Sequence, residues 1–199
     1  MILQSNFKAL CPVPLPPMTG RQHYMHTFDL SKPTVPPGFE DYLGAVKLLC
    51  WVAGANVGLA HLTVDEKIVK AGMSQRRPGP HVDGCFVPGP TPYWGHQGPE
   101  PQWLHDCNNI SLKAPKRMPV IVAASVPGCR AWRGLFDGIP KNDGDLSHIS
   151  DQLKNPEVLP AYYGYLLSPD CVHESLVFGK DTPRTLIRIA LPNDFSYMD

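Results

Sequence analysis

Twenty-three prolines and 17 glycines in 199 residues set the first limit on what this chain can become. Proline fixes φ, lacks an amide hydrogen and biases the residue before it away from helix, so long helices are excluded almost everywhere. What remains is short strands and loops, the habit of sandwiches, jelly rolls and barrels. The length suits one domain with its own core and falls short of two of ordinary size. We therefore expect a mainly β protein with flanking helices, one domain over 1–199, and a proline-rich N-terminal segment at 1–37, extended over 1–20.

Periodicity places the elements within that frame. In "GFEDYLGAVKLLCWVAG", Phe39, Leu43, Val46, Cys50 and Ala53 recur at three- and four-residue spacing between Pro37 and Gly54, the pattern of a helix that packs one face on a sheet. "RQHYMHTFDL" reads as an edge strand, and residues 59–75 as two short strands around Asp65 and Glu66. "MPVIVAASV" is apolar on both faces and reads as a buried strand, with "CRAWRGLFDG" continuing as a second. Residues 141–157 are turn-like, with one helical turn near Leu146 to Leu153. Three strands follow in "LPAYYGYLLS", "CVHESLVF" and "RTLIRIAL".

Charge and cysteine usage exclude several classes. Lys plus Arg equals Asp plus Glu at 18 each, so net charge does not support nucleic acid as a partner. There is no run of roughly 18 apolar residues and no basic start leading into an apolar core, which points to a soluble, cytoplasmic protein without a membrane partner. The six cysteines stand singly, without CxxC pairs, and most read as reduced, buried thiols. His96, His105 and Cys107 are too loosely spaced for a zinc site, and Lys113, Lys116 and Arg117, with Arg130 and Arg133, read as a solvated face. No GxSxG elbow, Walker loop or dinucleotide fingerprint is present.

One short stretch carries chemistry. In "RPGPHVDG", His81 and Asp83 lie two apart, so an extended backbone puts both on one face. Asp83 before Gly84 equally fits an Asx turn. The pair gains meaning from His173 in "LSPDCVHESL", because two histidines and one carboxylate form the facial set that holds non-haem Fe(II) and leaves three positions open. Glu174 should face away from His173. Eleven residues after His173, "RTLIRIAL" opens with Arg184, whose planar fork suits a carboxylate, and Arg188 lies on the same strand face. Ile187, Ile189 and Leu191 should turn toward the helix.

This order, HxD, a single His, then Arg one strand later, resembles the Fe(II)- and 2-oxoglutarate-dependent dioxygenases over residues 60–191. The resemblance implies a double-stranded β-helix (a jelly-roll, cupin-like core), a metal site of His81, Asp83 and His173, and Arg184 as anchor of the distal carboxylate of 2-oxoglutarate, with Arg188 as second choice. Fe(II), 2-oxoglutarate and dioxygen are the implied cofactor and co-substrates, and an unidentified small molecule or peptide the substrate to be hydroxylated. The glycine- and proline-rich stretch 84–109 is the candidate lid loop. A non-catalytic jelly-roll module and a cupin-type metal enzyme without 2-oxoglutarate are the alternatives.

Overall fold

The computed structural model describes residues 1–83, 118–141 and 144–197. The candidate lid loop, the loose set of His96, His105 and Cys107, and the basic cluster of Lys113, Lys116 and Arg117 lie outside the described residues. Over those described, the chain is mainly β with one short helix. In chain order the elements are β1 (Ile2–Ser5), β2 (Phe7–Pro12), β3 (Gln22–Asp29), α1 (Leu43–Ala53), β4 (Leu59–Val69), β5 (Val120–Ala124), β6 (Cys129–Ala131), β7 (Gly134–Asp137), β8 (Glu157–Val158), β9 (Tyr163–Leu167), β10 (His173–Ser175) and β11 (Thr182–Ala190).

All pairings are antiparallel. Six strands form one sheet in the order β2-β9-β5-β11-β4-β3, three form a second as β10-β6-β8, and β1 pairs with β7. The edge strand expected near residue 22 is β3, at the end of the large sheet.

Side-chain alternation gives that sheet two different faces. On the outer face Leu62, Val64, Ile121, Ile187, Ile189 and Leu191 form one buried cluster with Val46, Leu49 and Cys50 of α1, as the helix-facing pattern of the last strand predicts. The helix buries Tyr42, Ala45, Val46, Leu49 and Cys50, a three-and-four stripe led by a 3-10 turn at Glu40–Tyr42. Gly54 ends it at φ 72, where its amide turns back to the Cys50 and Trp51 carbonyls.

On the inner face, the small sheet packs against β2 and β9. Phe7, Tyr165 and Leu167 from the large sheet share a cluster with Ala131, Leu159 and Cys171. A separate cluster of Leu3, Val82, Trp132, Phe136, Leu146 and Val172 backs the small sheet from its far side.

Two expectations change. Residues 59–69 are one eleven-residue strand rather than two short ones. The two carboxylates that suggested a turn are both buried, on opposite faces, and both find partners, which offsets part of the cost of leaving them in the strand. Asp65 accepts from Gln22 Nε2 at 2.8 Å and lies 3.3 Å from Lys67 Nζ. Glu66 accepts from the amides of Thr19 (2.6 Å) and Arg21 (3.0 Å), from Thr19 Oγ1, and from the Tyr42 hydroxyl. The second change is that "CRAWRGLFDG" divides into β6 and β7, which belong to different sheets. Trp132 turns into the cluster behind the small sheet, and Arg133 reaches Glu157 Oε1 (2.9 Å) and Asn6 Oδ1 (2.6 Å).

At Gly164 the helix and the sheet come close. A Cβ there would overlap Leu49 Cδ2. Gly164→Ala is expected to destabilise by about 1–3 kcal/mol through overpacking, read as a lower urea midpoint at unchanged slope; an unchanged midpoint would show that Leu49 has room to shift.

Candidate metal centre

His81 sits in an extended segment that acts as a further strand of the small sheet. Its amide donates to the His173 carbonyl at 2.9 Å, and the His173 amide donates back at 3.0 Å. On the segment's other side Val82 N donates to Gly144 O at 3.1 Å and Leu146 N to Pro80 O at 2.9 Å. The two histidines are thus a directly opposed antiparallel pair, and their rings stand 4.4 Å apart by centroid.

The residues between and before the ligands hold the backbone in place. Val82, between His81 and Asp83, and Val172, before His173, are buried in the same apolar cluster behind the small sheet. Alternation then sends His81, Asp83 and His173 the other way, into the space between the sheets. Ser5 adds a clamp: its Oγ accepts from Val172 N at 2.8 Å and donates to Trp132 O.

Both rings are oriented by the same local device. His81 Nδ1 lies 2.8 Å from the Gly79 carbonyl and His173 Nδ1 lies 3.0 Å from the Cys171 carbonyl, each two residues upstream. A carbonyl can only accept, so each Nδ1 carries the proton and each Nε2 keeps its lone pair. Gly79 reaches φ 80 to present that carbonyl.

Asp83 completes the set. Its Oδ2 lies 3.5 Å from His173 Nε2 and accepts from Arg188 Nε at 3.2 Å. The three ligand atoms all lie within 4.8 Å of one another. Cis ligands about 2.1 Å from one ion are about 3 Å apart, so small side-chain rotations close the set onto a metal. Two imidazole nitrogens and one carboxylate oxygen fit Fe(II) as a donor set.

The protonation states suit that role. Burial, reinforced by the neighbouring His173 and opposed by Asp83, lowers the His81 pKa to about 3, so the ring is neutral at physiological pH. Burial alone would raise the Asp83 carboxyl, but opposing interactions led by the Arg188 charge outweigh it and hold the group ionised, well below the usual carboxylate range.

No protein-family model matches this chain, and no curated protein matches it either.

The structure brings Arg188, but not Arg184, into contact with the triad. Arg188 pairs with Asp83. Arg184, on the same face of β11, is 1% exposed. Its Nε donates to Val126 O at 3.0 Å and its Nη1 donates to Gln75 Oε1. Gln75 Nε2 in turn donates to the Asp65 carbonyl at 2.7 Å. Nη2 has no partner among the described residues, and no carboxylate there pairs with this guanidinium. Burial pushes its pKa down to about 10, against the opposing pull of Cys129 and Asp65.

Sequence reasoning did not find Gln75, Val126 or Gly128, which pack around Arg184. A Cβ on Gly128 would stand 2.8 Å from Arg184 Nε and 2.7 Å from Phe178 Cζ. Nothing in residue type or spacing signals these contacts, since they join segments more than fifty residues apart. Glu174 faces the outer side of β10 and pairs there with Arg130, as alternation requires.

Proposed function

We propose that this chain is a non-haem Fe(II)- and 2-oxoglutarate-dependent oxygenase on a double-stranded β-helix core, hydroxylating a substrate carbon while 2-oxoglutarate is converted to succinate and carbon dioxide. The observation that carries the reading is the triad: two imidazoles with Nε2 turned inward and an ionised carboxylate, all within 4.8 Å on facing strands. A large antiparallel sheet faced by a smaller one is the arrangement a jelly roll needs.

Arg184 supports the 2-oxoglutarate part. A buried cation with no ionic partner among the described residues costs several kcal/mol, which an anion bound beside it would offset. In this reading Nη2 receives the distal carboxylate of 2-oxoglutarate, Gln75 and Val126 hold the fork in its plane, and Leu186, buried between the two arginines on the same face, packs against the methylenes. Arg188 keeps Asp83 ionised and directed at the metal position. Bound iron would supply the activation of dioxygen. The four described cysteines are free thiols, which suits a reducing, cytoplasmic setting.

The test is succinate release when air is admitted to anaerobic protein loaded with Fe(II) and 2-oxoglutarate. A protein that binds iron but neither binds nor consumes 2-oxoglutarate would overturn the reading in favour of a cupin-type metal enzyme. Unchanged metal content in the His81→Ala, His173→Ala double variant would favour a non-catalytic module. Gly128→Ala is expected to raise the half-saturating 2-oxoglutarate concentration about ten- to a hundredfold by displacing the Arg184 fork, with Fe(II) affinity unchanged. If Arg184→Ala and Gly128→Ala both leave that concentration untouched, Arg184 is not the anchor.

A further inference from the structure

The space between the sheets is packed on one flank and polar on the other. Toward β9 and β2 it is filled by the buried cluster around Phe7, Tyr165 and Leu167. Toward β4 and β3 the same face of the large sheet carries Tyr24, Met25, Thr27, His61 and Thr63, and none of these belongs to an apolar cluster among the described residues. Thr27 is exposed, and Tyr24, Met25 and His61 are half-buried. Among the described residues, hydrogen-bonding groups beside the triad are thus reached from this flank.

A β-bulge puts two side chains where one would stand. Gln22 and His23 pair with Asp65 and Val64, and the register resumes with His26 opposite Leu62, so Tyr24 and Met25 both face Thr63. Met25 adopts φ 60, a left-handed conformation that is costly for a residue with a side chain. Its sulfur lies 4.0 Å from Thr63 Oγ1, and its amide donates to the same hydroxyl at 3.4 Å. Thr63 is the β4 partner of Arg188, which holds Asp83. The strained residue therefore lies in register, across β4, with the arginine that holds Asp83.

Two residues along β4, His61 Nδ1 meets Thr27 Oγ1 at 3.0 Å. Its Nε2 has no partner among the described residues. Burial and the nearby Arg188 charge lower its pKa, so the ring offers a neutral donor or acceptor. Among the described residues, Lys67 pairs with Asp65 at 3.3 Å and Arg188 with Asp83 at 3.2 Å, and the Arg76 guanidinium stands 5.8 Å from the centroid of the Tyr24 ring.

Resting on the oxygenase reading, we propose that the β3–β4 flank is the substrate shelf: an uncharged, hydrogen-bonding part of the substrate is held by His61 and Thr27, and an apolar part lies against Met25 beside the metal. A neutral polar group suits these engaged charges, and an imidazole nitrogen with no partner among the described residues, better than a phosphate or a second carboxylate does.

The shelf is tested on the full chain by an iron-directed footprint. Dilute hydrogen peroxide is added to the Fe(II)-loaded protein, and peptides are read by mass spectrometry. Bound Fe(II) would supply the activation that Zn(II) cannot: one peroxide oxygen passes to the thioether and the other leaves as water. Met25 is expected to form sulfoxide about tenfold faster than Met73, although Met73 is 60% exposed, and Zn(II) in place of Fe(II) should abolish the preference. Equal rates with iron bound, or a preference that survives zinc, would overturn the placement.

A second arm measures stimulation of 2-oxoglutarate decarboxylation by the N-acetyl amides of the standard amino acids and by the ribonucleosides, with the free amino acids and nucleotides as charged counterparts. Stimulation by an uncharged compound that is lost in His61→Ala, with Fe(II) affinity retained, supports the shelf. Stimulation by charged compounds alone, stimulation that survives His61→Ala, or none at all overturns its chemistry. Failure of the oxygenase reading has a separate signature, a Met25 preference in protein that produces no succinate.

Discussion

Replacing His173 by alanine is expected to lower Fe(II) affinity by at least about a hundredfold and to abolish succinate formation, whereas Glu174→Ala next to it leaves iron binding unchanged. The magnitude follows from ligand counting: loss of an outer-shell partner alone costs about ten- to a hundredfold in metal affinity, and His173 Nε2 is a direct donor in the proposed set. The contrast follows from strand alternation. His173 points between the sheets toward Asp83, 3.5 Å away, while Glu174 points outward to Arg130. Anaerobic titration against a chromophoric chelator measures both variants, and a thermal melt of each separates lost ligation from lost folding. Wild-type iron affinity in folded His173→Ala would remove the basis of the triad. Asp83→Asn should weaken iron as well, since it discards the charge that Arg188 stabilises.

The second large effect concerns stability. Glu66→Ala is expected to cost about 3 kcal/mol or more, because it strands the Tyr42 hydroxyl and the Thr19 and Arg21 amides that the buried carboxylate satisfies. These bonds tie the chain before β3 and the start of α1 to the middle of β4, so three segments loosen together. The same group sets an acid limit. Burial would raise its pKa, but the bonds from Tyr42, Thr19 and Arg21 hold it down at about 2 against an ordinary 4.5. A carboxyl depressed in the folded state stabilises fully above its unfolded pKa, and that contribution is lost as pH falls through the folded value. The wild type should therefore lose stability between about pH 4.5 and 2, and Glu66→Gln should flatten that part of the profile. Urea midpoints across the range decide it; parallel profiles for the two proteins would show that Glu66 is not the titrating group.

Much of the architecture was legible because it depends on local chemistry. The edge strand at β3, the helix ending at Gly54 and the buried strand at β5 all follow from period and punctuation. The misreadings arose where a local signal was cancelled at a distance. Asp65 and Glu66 look like a turn until Gln22, Lys67, Thr19, Arg21 and Tyr42 are counted, and those partners come from other segments. The single strand expected from Cys129 onward fails at Trp132, whose side chain belongs to a cluster assembled from β1, β7 and the His81 segment.

The candidate site divides in the same way. His81, Asp83 and His173 could be named from residue type, order and alternation. That their three donor atoms converge required the opposed pairing of residues 81 and 173 and the burial of Val82 and Val172 behind them. The two arginines shared a strand face in the sequence, but their separate environments did not. Arg188 meets Asp83, while Arg184 is enclosed by Gln75, Val126 and Gly128. The bulge that aims Met25 across Thr63 left no mark in composition or period.

By itself, then, the sequence determined a short-stranded β protein and a set of metal-ligating residue types in order, because proline, alternation and ligand chemistry act over a few residues. Only the tertiary structure decided which donors meet, which arginine is sealed and which flank stays polar, because those depend on strand register and on packing between segments a hundred residues apart.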